Sequence, residues 1–309
     1  MSAISFYYFQ AMRKFLFLTK MKTVKHTIYG KKILDGETGG DLIVDLLSSD
    51  APCMIARIGS VEMQAINDVC SVKYHLKKEI SDVKMNTLYT NAGFFPCDKK
   101  LVPQFEEIYR HACAQLDVLA VLRNRDEDYW VRSINRKAKY ITLTALEPYY
   151  WQNPWSRVLR DKKVLVVNPF AKTIEQVYLN REHLFSNEDV LPEFSLKTLK
   201  AVQSIGDNTE NFSDWFEALS YMKEEISKID FDIAILGCGA YAFPLAAYCK
   251  DLGKKAIVLG GATQILFGVK GKRWEKHSTI SKLFNDYWQY PADDERPEGY
   301  DKVEKGCYW

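Results

Sequence analysis

The chain has 309 residues, enough apolar material for one large α/β domain or two small ones. Its 47% hydrophobic and 27% charged content is that of a soluble globular enzyme, and a net charge of only +2 argues against nucleic acid as a partner. Seven cysteines without a C-x-x-C pair and five scattered histidines argue against a disulfide framework or a zinc site, and suit a reducing, cytoplasmic setting.

From Met1 to Leu34 there is no acidic residue, while Arg13, Lys14, Lys20, Lys22, Lys25, Lys31 and Lys32 supply seven positive charges. Between them lie "ISFYYFQAM" and "FLFL", both far short of the roughly 20 apolar residues that a membrane span needs. Aromatics interleaved with lysine suit peripheral contact of residues 1–25 with an anionic membrane face, against the alternative of a helix packed on the domain or a frayed terminus. Residues 1–34 are therefore set apart from a single α/β domain over 35–309.

Along that domain, short apolar runs alternate with helical periodicity, the pattern of βαβ units in a Rossmann-like, mostly parallel sheet with helices on both faces. Strands are predicted at 53–57, 117–123, 140–146, 163–170, 199–205, 231–239 and 255–261. Several are rich in Val, Ile and Leu without alternation, as expected of strands covered on both faces. Helices are predicted over 60–70, 101–116, 128–138, 172–185, 213–228 (N-capped by Ser213), 242–252 and 274–288. The stretch 71–100 has no strong period and reads as an insertion or lid over the sheet.

In parallel sheets, ligands bind beyond the carboxyl ends of the strands. Four runs reach that edge. "RIGSVE" follows the first strand: Arg57 offers a two-pronged fork for phosphate or carboxylate, Gly59 permits close backbone approach and Ser60 suits an N-cap. A structural Arg57–Glu62 ion pair is the competing explanation. The Gly237-x-Gly239 turn and Gly260-Gly261, followed by Lys270, Lys272 and Arg273, suit a diphosphate cradle facing a helix N-terminus. The alternative is a solvated basic loop. "EPYYWQNPW" and Asn168-Pro169-Phe170, with Lys172 and Thr173 after it, suit a sugar or base platform, or else core packing. Asp126, Glu127, Asp128 and Asp207 follow predicted strands on the correct edge and are candidates for a general base.

The Arg57-Ile58-Gly59-Ser60-Val61-Glu62 run resembles the Arg-x-Gly-Asp-Gly-Glu run of the GT-D-fold glycosyltransferases, bacterial enzymes that move a sugar from a nucleotide donor. "VLVVNPFAKTIEQ" and "GAYAFPLAAYCKDLGKKAIVLGGATQILFGVKGKRW" also look like members of that group serving surface-polysaccharide (O-antigen or capsule) assembly. The likeness spans roughly residues 40–309. In the family run the Asp-x-Glu portion binds the donor diphosphate through a divalent metal. Here Ser60 stands at the aspartate position and Val61 at the second glycine. Two outcomes stay open: Glu62 holds Mn²⁺ or Mg²⁺ with water and phosphate oxygens, or Arg57, Lys270, Lys272 and Arg273 neutralise the leaving diphosphate without a metal. The cations favour the second.

The resemblance implies transfer of a hexosyl group from a nucleoside-diphosphate sugar, UDP-linked, to a cell-surface glycan, including a lipid-linked one at the inner face of the plasma membrane. Arg57, Gly59, Ser60, Gly237, Gly239, Gly260, Gly261, Lys270, Lys272 and Arg273 would bind the donor, with Glu62, Asp207 and Asp126 as candidate catalytic residues. Two other readings compete: a Rossmann-type methyltransferase or dehydrogenase using the Gly237 turn, and a non-catalytic glycan-binding subunit.

Overall fold

The computed structural model of the protein describes residues 3–18, 27–28, 31–205, 208 and 211–309. In chain order the strands are β1 (Thr27–Ile28), β2 (Lys31–Leu34), β3 (Cys53–Ala56), β4 (Val118–Val121), β5 (Lys139–Thr142), β6 (Lys163–Asn168), β7 (Ser195–Lys200), β8 (Ile233–Leu236) and β9 (Lys255–Val258). They form one sheet in the order β1-β2-β5-β4-β3-β9-β8-β6-β7. Every pairing is parallel except that of β1, which runs antiparallel to β2. The helices are α1 (Ala3–Leu18), α2 (Gly36–Ser48), α3 (Ser60–Lys73), α4 (Asp82–Ala92), α5 (Val102–Ala114), α6 (Glu127–Ile134), α7 (Leu143–Leu146), α8 (Ala171–Tyr178), α9 (Trp215–Ser227), α10 (Ala242–Asp251), α11 (Ala262–Leu266) and α12 (Lys272–Glu275).

The unalternating apolar runs are explained by two cores, one on each face of the sheet. Met54 and Ala56 point into a layer with α3, α5, α9 and α10, where Met63, Phe105, Trp215 and Leu245 pack. Cys53 and Ile55 point into the other, built by α2, α8 and α11 and closed by Val303 and Trp309 of the C-terminal tail. Successive strand residues face opposite sides, so both sets must be apolar. This is the α/β architecture expected from the sequence.

Several local expectations are corrected. The run 140–146 is half strand: the chain leaves β5 at Thr142, which starts α7. The strand placed at 199–205 lies earlier, at Ser195–Lys200, where it pairs with β6 along its whole length. It is an edge strand with partly exposed residues, so its sequence is polar, while the buried Val202 and Ser204 belong to a loop instead. No long helix fills 274–288. Only α12 and a 3-10 turn form there, because the His277 ring takes up the N–H of Ile280 and Ser281 bonds back to His277. The N-cap of α9 is Asp214, whose carboxylate accepts from the Glu217 N–H, rather than Ser213, which instead donates its backbone N–H and hydroxyl to the Glu217 carboxylate. Among residues 1–34, the described elements α1 and β2 are joined to the domain: β2 pairs with β5, and Phe6 and Phe9 of α1 are buried in the first core. Lys20, Lys22 and Lys25 lie outside the described residues.

The stretch 71–100 is anchored by one buried carboxylate. Asp68 of α3 is 1% exposed and accepts from Lys77 Nζ and Lys84 Nζ, both at 2.7 Å, and from the Ser81 N–H at 3.0 Å. Burial alone would raise its pKa, but these three donors outweigh it and hold the carboxyl below its ordinary value. Asp68→Ala is expected to destabilise the fold by about 2–3 kcal/mol at neutral pH. Because the folded pKa is depressed, that stabilisation is full above the unfolded carboxyl pKa and disappears as the pH falls through the folded one. Urea denaturation of both proteins at pH 7 and in acid tests this, and the gap between them should narrow in acid.

Candidate active site

β3 and β9 lie side by side, yet the chain leaves them in opposite directions. The helix after β3, α3, packs into one core, and the helix after β9, α11, packs into the other. A crevice must open between such divergent connections at the strands' carboxyl ends. It is a cavity of about 660 Å³, within the size range of small-molecule sites. Turns after β3, β6, β8 and β9 form its floor.

The β3 turn delivers Arg57, Gly59, Ser60 and Glu62 to this cavity. Gly59 is the N-cap of α3, and the Glu62 carboxylate folds back over it, its Oε2 lying 2.0 Å from where a Cβ on Gly59 would project. Burial pushes the Glu62 pKa up, and its own backbone N–H and Arg57 pull it back. Ser60 is therefore not the cap. It begins the helix, and its hydroxyl donates to Asn124 Oδ1 at 2.6 Å. Arg57 and Glu62 do not form a close ion pair among the described residues; the Arg57 guanidinium lies instead beside Gly260, about 3.2 Å from where a Cβ would project. Gly260 holds φ at +62°, a conformation that further favours glycine.

The other glycine turns are packed as tightly. A Cβ on Gly237 would meet Thr263 Oγ1 at 2.4 Å and the Gly260 carbonyl at 2.8 Å. Asn168 ties the β6 and β8 turns together, donating to Gly237 O at 2.8 Å and accepting from the Phe170 N–H at 2.9 Å. Gly239 faces the end of α4 across the Ala92 carbonyl. The predicted insertion thus roofs part of the cavity through Asn91–Gly93, secured where Ser204 Oγ donates to Gly93 O at 2.6 Å. Gly261 faces Trp274 and Tyr308.

The expected cluster of three cations divides. Arg273 lines the cavity with its guanidinium between the Trp274 and Tyr308 rings, 4.8 and 4.9 Å from their centroids. Lys270 instead lies over Phe284 and Tyr290, and Lys272 over Tyr300; neither lines the cavity. Asp126 is also placed elsewhere. It is 5% exposed and engaged by Arg13 and by Gln10 Nε2 of α1, so the residue expected as a base is held in a structural ion pair. Glu127 turns inward to the Arg123 N–H and Asn124, and does not line the cavity. Asp207 lies outside the described residues. In the aromatic run, Tyr150 lines the cavity, while Trp155 is core and Trp151 packs on Gly36. Lys172 and Thr173 give their backbone N–H groups to Glu295 rather than to the cavity.

With that geometry in place, the chain can be set beside known proteins. No protein-family model and no curated protein matches it. It is similar to solved structures of the domain of unknown function 1792. One, described as having a distinct glycosyltransferase fold, shares 13% identity at a TM-score of 0.46, covering 87% of this chain and 94% of that one. Another, described as a new glycosyltransferase from Streptococcus sanguinis, shares 12% identity at a TM-score of 0.44, covering 85% and 96%. Likenesses so distant carry no function across, and the chemistry rests on the residues of the cavity.

Three features of the cavity escaped sequence reasoning. Glu147 follows α7 and lines the cavity; burial pushes its carboxyl up to about 7, against the pull of Arg57. In the sequence it follows the apolar run 140–146 and precedes a proline, the same position after an apolar run that pointed to Asp126. The C-terminal tail folds back so that Tyr308 and Trp309 wall the cavity, and Gln264 Nε2 donates to Tyr308 O at 3.0 Å. Two buried polar atoms of the lining, Gln264 Oε1 and Trp274 Nε1, have no hydrogen-bond partner among the described residues. Buried polar groups are normally satisfied, so both suit a polar ligand.

The serine in the Arg57–Glu62 run offers no second carboxylate beside Glu62. Ser60 Oγ is committed to Asn124, Glu62 is the one carboxylate of its run, and no group of three or more His, Cys, Asp or Glu side chains converges among the described residues.

Proposed function

We propose that the protein is a glycosyltransferase that moves a hexosyl group from a UDP-linked sugar to a cell-surface glycan, a lipid-linked one included. The observation that carries this reading is the convergence of Arg57 and Arg273 with Glu147, one of the carboxyls lining a cavity floored by glycine turns. Two guanidinium forks suit a diphosphate, and glycines let phosphate approach the backbone. Tyr308, Trp274 and Tyr150 offer flat faces for a base or a sugar ring.

In the reaction, the acceptor hydroxyl oxygen forms a bond to the anomeric carbon while the bond from that carbon to the diphosphate oxygen breaks. The nucleoside diphosphate leaves with the bonding pair, and Arg57 and Arg273 neutralise the charge that develops on it. The hydroxyl proton passes to Glu147, whose raised pKa suits a base working near neutrality. Attack opposite the leaving group would invert the anomeric centre. Donor binding is read as the work of the arginines, with no step assigned to a metal.

A dehydrogenase or methyltransferase reading is disfavoured by the end of β9. It runs into Leu259-Gly260-Gly261, with no acidic side chain where a cofactor ribose would be held. Calorimetric titration of UDP tests the proposal directly. UDP should bind equally in manganese and in EDTA. Binding only with manganese would move the diphosphate contact to a cation at Glu62, and no binding in either would end the UDP-donor reading.

A further inference from the structure

α1 has two apolar faces, and the fold uses one. Phe6 and Phe9 are 3% and 4% exposed and pack on Tyr74 and Tyr129, while Gln10 and Arg13 hold Asp126. On the opposite face, Ile4 is 82%, Tyr8 72% and Leu18 68% exposed. Their spacing of four and ten residues keeps them on one stripe of a helix with 3.6 residues per turn, with Ala11 and Phe15 along the same line. Three large, mostly exposed apolar side chains on one helix stripe call for a covering surface.

Charge decides which surface. The first 34 residues contain seven Lys and Arg and no acidic residue. Arg13 is taken up by Asp126, but Lys14 and the lysines at 20, 22, 25, 31 and 32 have no acidic residue among the first 34, so a second copy of this segment would bring like charges together, whereas an anionic bilayer would neutralise them as the stripe enters the headgroup boundary. The position fits as well. Asp126, the anchor for α1, lies just past β4 in the loop whose Asn124 contacts Ser60 of the cavity. The helix is thus fastened at the same edge of the sheet at which the cavity opens.

We propose that the outer stripe of α1, Ile4–Tyr8–Leu18, docks the protein on an anionic membrane surface, while Phe6 and Phe9 keep the helix fixed to the domain. The inference goes beyond the enzymatic reading and does not depend on it, because bare vesicles contain neither sugar donor nor acceptor. The full-length protein should co-float with phosphatidylglycerol-containing vesicles, stay free of pure phosphatidylcholine vesicles, and be released by high salt. Tyr8→Glu with Leu18→Glu should weaken flotation by about tenfold or more without lowering the melting temperature, since both side chains are exposed. Phe9→Ala, by contrast, should lower the melting temperature. The proposal is overturned if the protein stays free of anionic vesicles. It is equally overturned if light scattering without lipid finds a dimer that the Glu variants dissociate, which would give the stripe to a second copy.

Discussion

Arg57→Ala should reduce kcat/KM with a UDP-sugar donor by about 100- to 1000-fold, the usual cost of removing one preorganised donor to a developing negative charge. Arg57 leaves the sheet where β3 meets β9, lies beside Gly260, and lines the cavity with Glu62 and Glu147. A lysine at 57 keeps the charge but loses the planar fork, so Arg57→Lys should recover only part of the loss. Calorimetry with UDP separates the roles: the alanine variant should bind UDP more weakly, while retaining its fold by circular dichroism. There is a second signature. Arg57 draws the Glu147 pKa down, so its removal should move the acid limb of the rate profile to higher pH. Unchanged UDP affinity in Arg57→Ala would remove the diphosphate assignment.

Glu147→Gln should lower kcat by about 100- to 10,000-fold while leaving UDP affinity close to that of the wild type. A base must be ionised, and burial holds the Glu147 carboxyl up at about 7. Wild-type activity should therefore be lost as the pH falls through about 7 and level off above it. The sign for stability is the reverse of that for Asp68. A carboxyl whose folded pKa is raised binds its proton more tightly in the native state, so its ionisation weakens the fold as the pH rises from the unfolded value through the folded one. The glutamine variant should then melt at a higher temperature than the wild type at pH 8 and show no such advantage at pH 4. A variant that keeps full kcat would return the proton to another group, and Glu147 would be a structural residue only.

Legibility from sequence followed the range of the interaction. The buried strands could be read because being covered on both faces leaves an unbroken apolar run, as in "CMIA" and "KVLVVN". β7 escaped because an edge strand has no such constraint, and the apolar residues after it serve the cavity loop. The glycine turns could be placed at the cavity's edge by the rule for parallel sheets, and Arg57, Gly59 and Glu62 came with them, since one turn holds all three. The same rule put Asp126 at the right edge but could not foresee that Arg13, over a hundred residues earlier, would occupy it. Nor could three cations in a row reveal that only Arg273 faces inward. That depends on two aromatic rings, one of them on the tail.

By itself, then, the sequence determined the α/β class, the two-sided burial of the strands, the polar turns at their carboxyl ends and the basic character of the first 34 residues. Each of these is set by local periodicity and composition. Only the tertiary structure decided that β3 lies against β9, that Glu147 and Arg273 meet Arg57 in one cavity, that the tail walls it, and that α1 buries one apolar face while exposing the other. Those outcomes depend on strand order and on packing between segments as distant as Cys53 and Lys255, which sit opposite each other in the sheet. Such pairings are chosen by the burial free energy of the whole core, to which no short window of residues gives access.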